Sequence, residues 1–248
     1  MVRERCRRSQ KIHKLMTTNF DINDISYGNM SYENHLLISQ DSSLVKYFEE
    51  FTSAPFPKNN SSEVQYELRT ILEEFNKASR SEKLRYYKSA DQDLYKVIAK
   101  FLVFYKIATA ENITAVMTCV EKVNLELAPL ILKLKEHYQR PRPYQLAPYY
   151  NIPLYPHASN PALSPSYPSG HTLTAYFVCG LVSEIMPEKT RLLESLAEIV
   201  AVSRISMGVH FPSDNKFSIA IAEHLIEKPE VEVMIKELGK VLKSSDKK

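Results

Sequence analysis

Three short stretches of the chain concentrate side chains able to do chemistry on an anion. The first, KLKEHYQRPRPYQL (Lys133 to Leu146), starts like a basic helix end and then runs into Arg-Pro-Arg-Pro. Proline cannot continue a helix and drives the residue before it into an extended conformation. Arg140 and Arg142 therefore stand on a stiff extended segment just beyond a helix end bearing Lys133 and Lys135. The second is SYPSGHTLTAYF (Ser166 to Phe177), in which Pro168-Ser169-Gly170-His171 reads as a tight turn into an apolar helix. Free N–H groups at such a helix start, with a glycine admitting an anion, form an oxyanion site. Ser169 adds a hydroxyl donor, and His171 is placed to pass a proton to whatever binds there. The third is SRISMGVHFPSDN (Ser203 to Asn215). A helix ends near Gly208, His210 follows in the turn, and Asp214 lies four residues later, within reach of the imidazole. A carboxylate on one ring nitrogen sets the tautomer and leaves the other as nucleophile or ligand.

Each piece alone is ordinary: an Arg-Pro pair punctuates loops, a PSGH turn caps helices, and lone histidines are mostly packing or surface residues. Together, a lysine, two arginines, an N–H nest, two histidines and an aspartate are what a phosphoryl centre needs without a metal. The first stretch offers two registers, Lys135 with Arg142 or Lys133 with Arg140. A two-residue shift turns the lysine to another helix face, so the registers exclude each other.

These stretches resemble the signature of the type 2 phosphatidic acid phosphatase superfamily, which includes class A nonspecific acid phosphatases and vanadium-dependent haloperoxidases. The pattern is Lys, six residues, Arg-Pro; then Pro-Ser-Gly-His; then Ser-Arg, five residues, His, three residues, Asp. Here it is met by Lys135 with Arg142-Pro143, by Pro168 to His171, and by Ser203-Arg204, His210 and Asp214. The resemblance covers about residues 60–225. The acid phosphatases favour the register Lys135 and Arg142, with Tyr138 midway and Tyr144 after Arg-Pro. Arg140 is then expected to be a peripheral or structural, solvated charge.

The resemblance implies a hydrolase of soluble phosphomonoesters working through a phosphohistidine. His210, oriented by Asp214, is the expected nucleophile, and His171 the expected acid and then base. Lys135, Arg142, Arg204, the Ser169 hydroxyl and the Gly170 N–H are expected to hold the phosphoryl oxygens. His210 is expected neutral and His171 charged. No cofactor is implied; vanadate enters only under the haloperoxidase alternative, against which the short chain and the absence of tryptophan count weakly. A lipid or isoprenoid phosphate phosphatase is the other alternative. A non-enzymatic helical binding module leaves the charged groups unexplained. The remaining histidines, His13, His35, His137, His157 and His224, show no ligand spacing, and no metal is expected.

The elements that must position these groups read as helices. SSEVQYELRTILEEF has a serine cap, and Val64, Leu68, Ile71, Leu72 and Phe75 fall on one face. Similar periodicity predicts helices over about 81–89, 92–108, 111–137, 172–186, 189–207, 214–227 and 229–243, with no alternating strand pattern. The expected architecture is all-α, a helical bundle with the site at one end. Residues 1–60 read as an irregular N-terminal arm, 61–243 as the helical phosphatase domain and 244–248 as a disordered tail. Residues 140–168 form a loop dense in proline and tyrosine; Tyr144, Tyr149, Tyr150, Tyr155 and Tyr167 either line a leaving-group pocket or pack over the bundle.

Bulk properties narrow the function class. A net charge of +3 across 248 residues, without a basic stripe beyond the first residues, argues against nucleic acid. No secretory leader is visible, and no segment reaches the ~20 apolar residues of a membrane span. Cys6, Cys119 and Cys179 have no pairing or metal spacing, which fits reduced thiols. A cytoplasmic protein acting on a small phosphate ester is expected, and a homo-oligomer is compatible with the sequence.

Overall fold

A computed structural model describes residues 21–159 and 162–243. The basic segment with Cys6 and His13, and the expected tail 244–248, lie outside the described residues. Within them the regular structure is helical, with no strand. After α1 (Tyr32–Ile38) and a 3-10 turn (Val45–Phe51) come α2 (Ser62–Ser79), α3 (Lys83–Gln92) and α4 (Leu94–Phe104). The long α5 (Ile113–Tyr138) leads to the short α6 (Pro143–Leu146), and α7 (Gly170–Ile185), α8 (Thr190–Ser206), α9 (Pro212–Ile226) and α10 (Val231–Lys243) complete the bundle. The all-α reading holds, with helix ends shifted by a few residues.

The caps explain the boundaries. Ser61 Oγ accepts the Val64 N–H at the start of α2, as the serine signal predicted. Asp93 ends α3 and caps α4, its carboxylate taking the Lys96 N–H at 3.1 Å. Gln139, left-handed at φ 50, closes α5 with its N–H on the Lys135 carbonyl, just before the first Arg-Pro.

Helix α7 is the hub. It packs against α8, α9, α10 and α5 and buries Leu173, Ala175, Phe177, Val178, Leu181 and Val182 around its circumference. A helix apolar all round belongs inside a bundle, and each such side chain contributes roughly 1.5–3 kcal/mol by burial. A separate cluster of Val64, Leu68, Ile71, Leu146, Ala147, Leu154 and Phe211 clamps the proline-rich loop between α2 and the start of α9. That clamp holds the two arginines against the third motif. The segment expected as an irregular arm carries α1 and the 3-10 turn, both packed on α5, and is tied there by Ser42 Oγ to the Glu126 carbonyl at 2.6 Å.

Candidate active site

Each motif is set by a local device. Lys135 lies on the last turn of α5 and sends Nζ to the Pro165 carbonyl. Arg142 is the N-cap of α6, extended at φ −74 and ψ 156, with Pro143 as first helical residue. Its Nε donates to the Ser164 carbonyl at 2.8 Å and one terminal nitrogen to the Val209 carbonyl at 2.8 Å. Gly170 and His171 open α7, and Ser218 of α9 pins the turn, accepting the Ser169 N–H at 2.8 Å and donating to the Ser169 carbonyl at 3.0 Å.

The third motif turns on Gly208. Its φ of +75 belongs to the left-handed region that glycine enters freely. The Gly208 N–H reaches the Ile205 carbonyl and the Val209 N–H the Arg204 carbonyl, a Schellman closure of α8. The chain therefore doubles back and brings His210 beside Arg204. Asp214, in the first turn of α9, accepts the Phe211 N–H at 2.8 Å and His210 Nδ1 at 3.1 Å on Oδ2.

These devices converge on one cavity of about 330 Å³, whose wall includes Lys135, Arg142, Gly170, His171, Arg204 and His210. His210 Nε2 lies 2.8 Å from a terminal nitrogen of Arg142. Guanidinium only donates, so Nε2 accepts and Nδ1 carries the proton held by Asp214. Arg204 pairs with Asp91 at 2.7 Å, both buried, while its Nε, also buried, makes no hydrogen bond. His171 Nε2 sits 3.2 Å from the Asp91 carbonyl. The wall also includes Asn34 and Leu37 of α1, Leu94 and Tyr95 of α4, and Asn124, Ala128, Ile131 and Leu132 of α5. Among the described residues, no three histidine, cysteine, aspartate or glutamate side chains gather as a metal ligand set.

Electrostatics follow from three buried cations around one cavity. Burial lowers the Lys135 pKa well below the ordinary lysine value, and Arg142 beside it adds to the effect. Arg142 itself is pushed down to about 10 by burial. Both imidazoles are held well below the usual histidine value: His210 by burial, then Arg142, Lys135 and Arg204; His171 by burial, then Arg204. Without a bound anion His171 is therefore neutral at neutral pH, which corrects the expectation of a standing imidazolium.

The structure brings Lys135, Arg142, Gly170, His171, Arg204 and His210 to the cavity wall, with Asp214 behind His210. Ser169 is placed differently from the expected hydroxyl donor: fully buried, its Oγ caps α7 and meets Thr172 Oγ1 at 2.9 Å, away from the cavity wall. Lys133 lies over the Phe48 ring at 4.3 Å, on another face of α5. Of the two expectations for Arg140, peripheral or structural, the structural one holds, but the side chain is not solvated. It is 1% exposed and bridges Asp214 at 2.5 Å and Glu67 at 3.2 Å. The loop tyrosines do not line the cavity: Tyr167 stacks on Phe217 at 4.4 Å, Tyr150 donates to the Asn59 carbonyl, and Tyr149 and Tyr155 are exposed. Sequence reasoning missed Asp91, whose partner Arg204 lies 113 residues away, and Glu67, on a helix read only as core. The one local cue at Asp91 was its place at the end of an acidic helix terminus, ADQD, which by itself signals a cap.

Known proteins share features of this chain. Residues 107–226 match the model of the PAP2 superfamily. No curated protein matches the chain. Among solved structures, a bacterial vanadium-dependent iodoperoxidase aligns with TM-score 0.60 at 14% identity, over 94% of this chain and 63% of that one. A transmembrane PAP2-type phosphatidylglycerolphosphate phosphatase from Bacillus subtilis aligns with TM-score 0.40 at 19% identity, over 87% of this chain and 96% of that one. At such identity the iodoperoxidase likeness is one of fold, and the chain spans 63% of that protein's length. No described helix is long and apolar enough to cross a membrane. Motifs, helical fold and family model agree over residues 107–226, the stretch that matches the PAP2 superfamily.

Proposed function

We propose that this chain is a metal-independent phosphatase of soluble phosphomonoesters, acting through a phosphohistidine on His210. The observation that carries the reading is unbalanced buried charge. Lys135, Arg142 and Arg204 face one cavity, where Asp91 is spent on Arg204 and Asp214 is shared between His210 and Arg140. Buried cations left short of counter-ions are costly, and a phosphoryl dianion relieves that cost. The unpaired Arg204 Nε and the Gly170 N–H at the start of α7 are donors for its oxygens.

In this reading Nε2 of His210 attacks phosphorus while Asp214 keeps the Nδ1 proton in place. The P–O bond to the alcohol breaks, and His171 gives the leaving oxygen its proton. His171 then takes a proton from water, which attacks the phosphohistidine and releases inorganic phosphate, restoring His210. The bound dianion raises the His171 pKa, so the acid forms when substrate is present. Lys135, Arg142 and Arg204 supply the charge that stabilises the transition state. The wall of Leu37, Leu94, Ala128, Ile131 and Leu132 suits the carbon skeleton of the leaving alcohol.

The same cradle fits a vanadate ion. A trigonal-bipyramidal vanadate resembles the phosphoryl transition state, so orthovanadate is expected to inhibit competitively. The test is a panel of soluble phosphomonoesters assayed with EDTA, with orthovanadate, and with peroxide plus halide. Turnover that survives EDTA and yields to vanadate supports the reading. Activity abolished by EDTA and restored by a divalent ion, or halide oxidation in place of hydrolysis, contradicts it.

A further inference from the structure

Behind His210, on the side away from the cavity, lies a second set of buried charges. Asp214 Oδ2 takes three donors: His210 Nδ1 at 3.1 Å, the Phe211 N–H at 2.8 Å and the Ser166 hydroxyl. Oδ1 accepts from Arg140 at 2.5 Å. The same Arg140 nitrogen also donates to Ser213 Oγ at 2.7 Å, and the other terminal nitrogen reaches Glu67 Oε2 at 3.2 Å. Glu67 in turn accepts the Ser213 N–H at 2.7 Å and the Ser213 hydroxyl at 3.0 Å. The guanidinium lies over the Phe211 ring at 4.1 Å, with Phe56 and Tyr167 at 5.5 and 5.7 Å.

We propose that Arg140, anchored by Glu67, is a positioning residue that holds the Asp214 carboxylate in the plane needed to keep His210 in its Nδ1–H tautomer. This rests on the reading of His210 as nucleophile.

The geometry gives the reason. A carboxylate gripped on one oxygen alone can swing about its Cβ–Cγ bond. Arg140 holds the second oxygen, and the ring contacts and Glu67 hold Arg140. Groups that orient a functional histidine through its partner act in this way at outer-shell distance. The charges facing His210 from other elements, Lys135 of α5, Arg142 of α6, His171 of α7 and Arg204 of α8, are all on the cavity side. Arg142 donates to Nε2 and Asp214 accepts from Nδ1, so the tautomer rests on both, and the angle of Asp214 decides how firmly the Nδ1 proton is held.

Removing Arg140 alone leaves Glu67 and Asp214 buried without their cation, and such a variant can fail to fold for that reason only. The double variant Arg140→Met/Glu67→Gln removes one charge of each sign and separates orientation from charge burial. Arg140→Lys, which offers one donor point where the guanidinium offers a fork, is the milder companion. Three readouts are taken: melting temperature, kcat and KM on one phosphomonoester, and ¹⁵N NMR of His210 without substrate. The resonance is assigned by its loss in His210→Gln.

The folded double variant is expected to keep KM within about threefold and to lose kcat by about 10–100-fold, the scale seen when the outer partner of a functional histidine is removed. Its His210 spectrum is expected to show both tautomers where the native protein shows Nδ1–H alone, and Arg140→Lys is expected to recover part of the kcat. A folded double variant with native kcat, or with the Nδ1–H tautomer alone, overturns the proposal. The NMR arm needs no turnover. Native protein that hydrolyses no phosphomonoester would sink the phosphatase reading and leave the tautomer result to judge Arg140.

Discussion

The two sides of His210 are built from the same residue types and differ in how the charges are matched. On the cavity side Lys135, Arg142 and Arg204 outnumber the carboxylates that reach them. On the far side Glu67, Arg140 and Asp214 form a closed chain with serine hydroxyls and backbone N–H groups on the remaining lone pairs. Surplus cations in front ask for an anion; behind, two carboxylates share one guanidinium and leave no cation to spare, so that side can only orient. Arg140 and Arg142 are two residues apart, equally buried, and fall on opposite sides of this divide because their partners differ.

The largest effect expected from breaking the front side belongs to His171. His171→Ala should lower kcat on an alkyl phosphate by ~10²–10⁴, the usual contribution of a placed acid. Nitrophenyl phosphate, whose leaving group needs little protonation, should lose far less. Equal losses on both substrates would take His171 out of the proton-transfer role.

Arg142→Ala comes next, with kcat/KM expected to fall by ~10²–10³, as for an oxyanion donor in a dry site. Lys133→Ala is its contrast, since Lys133 covers Phe48 outside the cavity. Its effect on stability should stay within about 0.5 kcal/mol and its kinetics near native. A larger kinetic loss at Lys133 would return the register to Lys133 with Arg140.

Gly170→Ala separates packing from binding. A methyl there would meet Ile131 Cγ2 at 3.5 Å, an ordinary contact, so the protein does not itself demand glycine. Stability should change by no more than about 0.5 kcal/mol while the inhibition constant for orthovanadate rises. Unchanged vanadate inhibition would show that the anion does not approach the Gly170 Cα closely.

The pH profile is the gentlest probe. His210 must be neutral to attack and its pKa is depressed, so it stays competent well into acid. His171 must be protonated in the complex, and in the free enzyme its pKa is depressed as well. The kcat/KM optimum should therefore be acidic, with activity falling as pH rises. The alkaline limb of kcat should lie at higher pH than that of kcat/KM, because bound dianion raises the His171 pKa. Coincident alkaline limbs would contradict that coupling.

How far the sequence reached follows from which signals are local. Helices announced themselves through 3.6-residue periodicity and serine caps, and the three motifs through spacing within a dozen residues. Asp91 and Glu67 are recruited by tertiary packing from α3 and α2 to arginines distant in the chain, so no spacing marks them. Arg140 was misjudged for the same reason: an arginine is read as solvated until its carboxylates are located. The cavity wall from α1 and α4 was hidden because Leu37 and Leu94 look like any helix core residue.

The central claim is that His210 carries the phosphoryl group. Quenching a single turnover of ³²P-labelled phosphomonoester in alkaline SDS, followed by peptide mapping at alkaline pH, tests it directly. The account predicts acid-labile label on the peptide containing His210, none in His210→Ala, and a larger steady-state level in His171→Ala if water activation becomes limiting. Label that persists in His210→Ala, or native turnover with no labelled enzyme at any quench time, would contradict it.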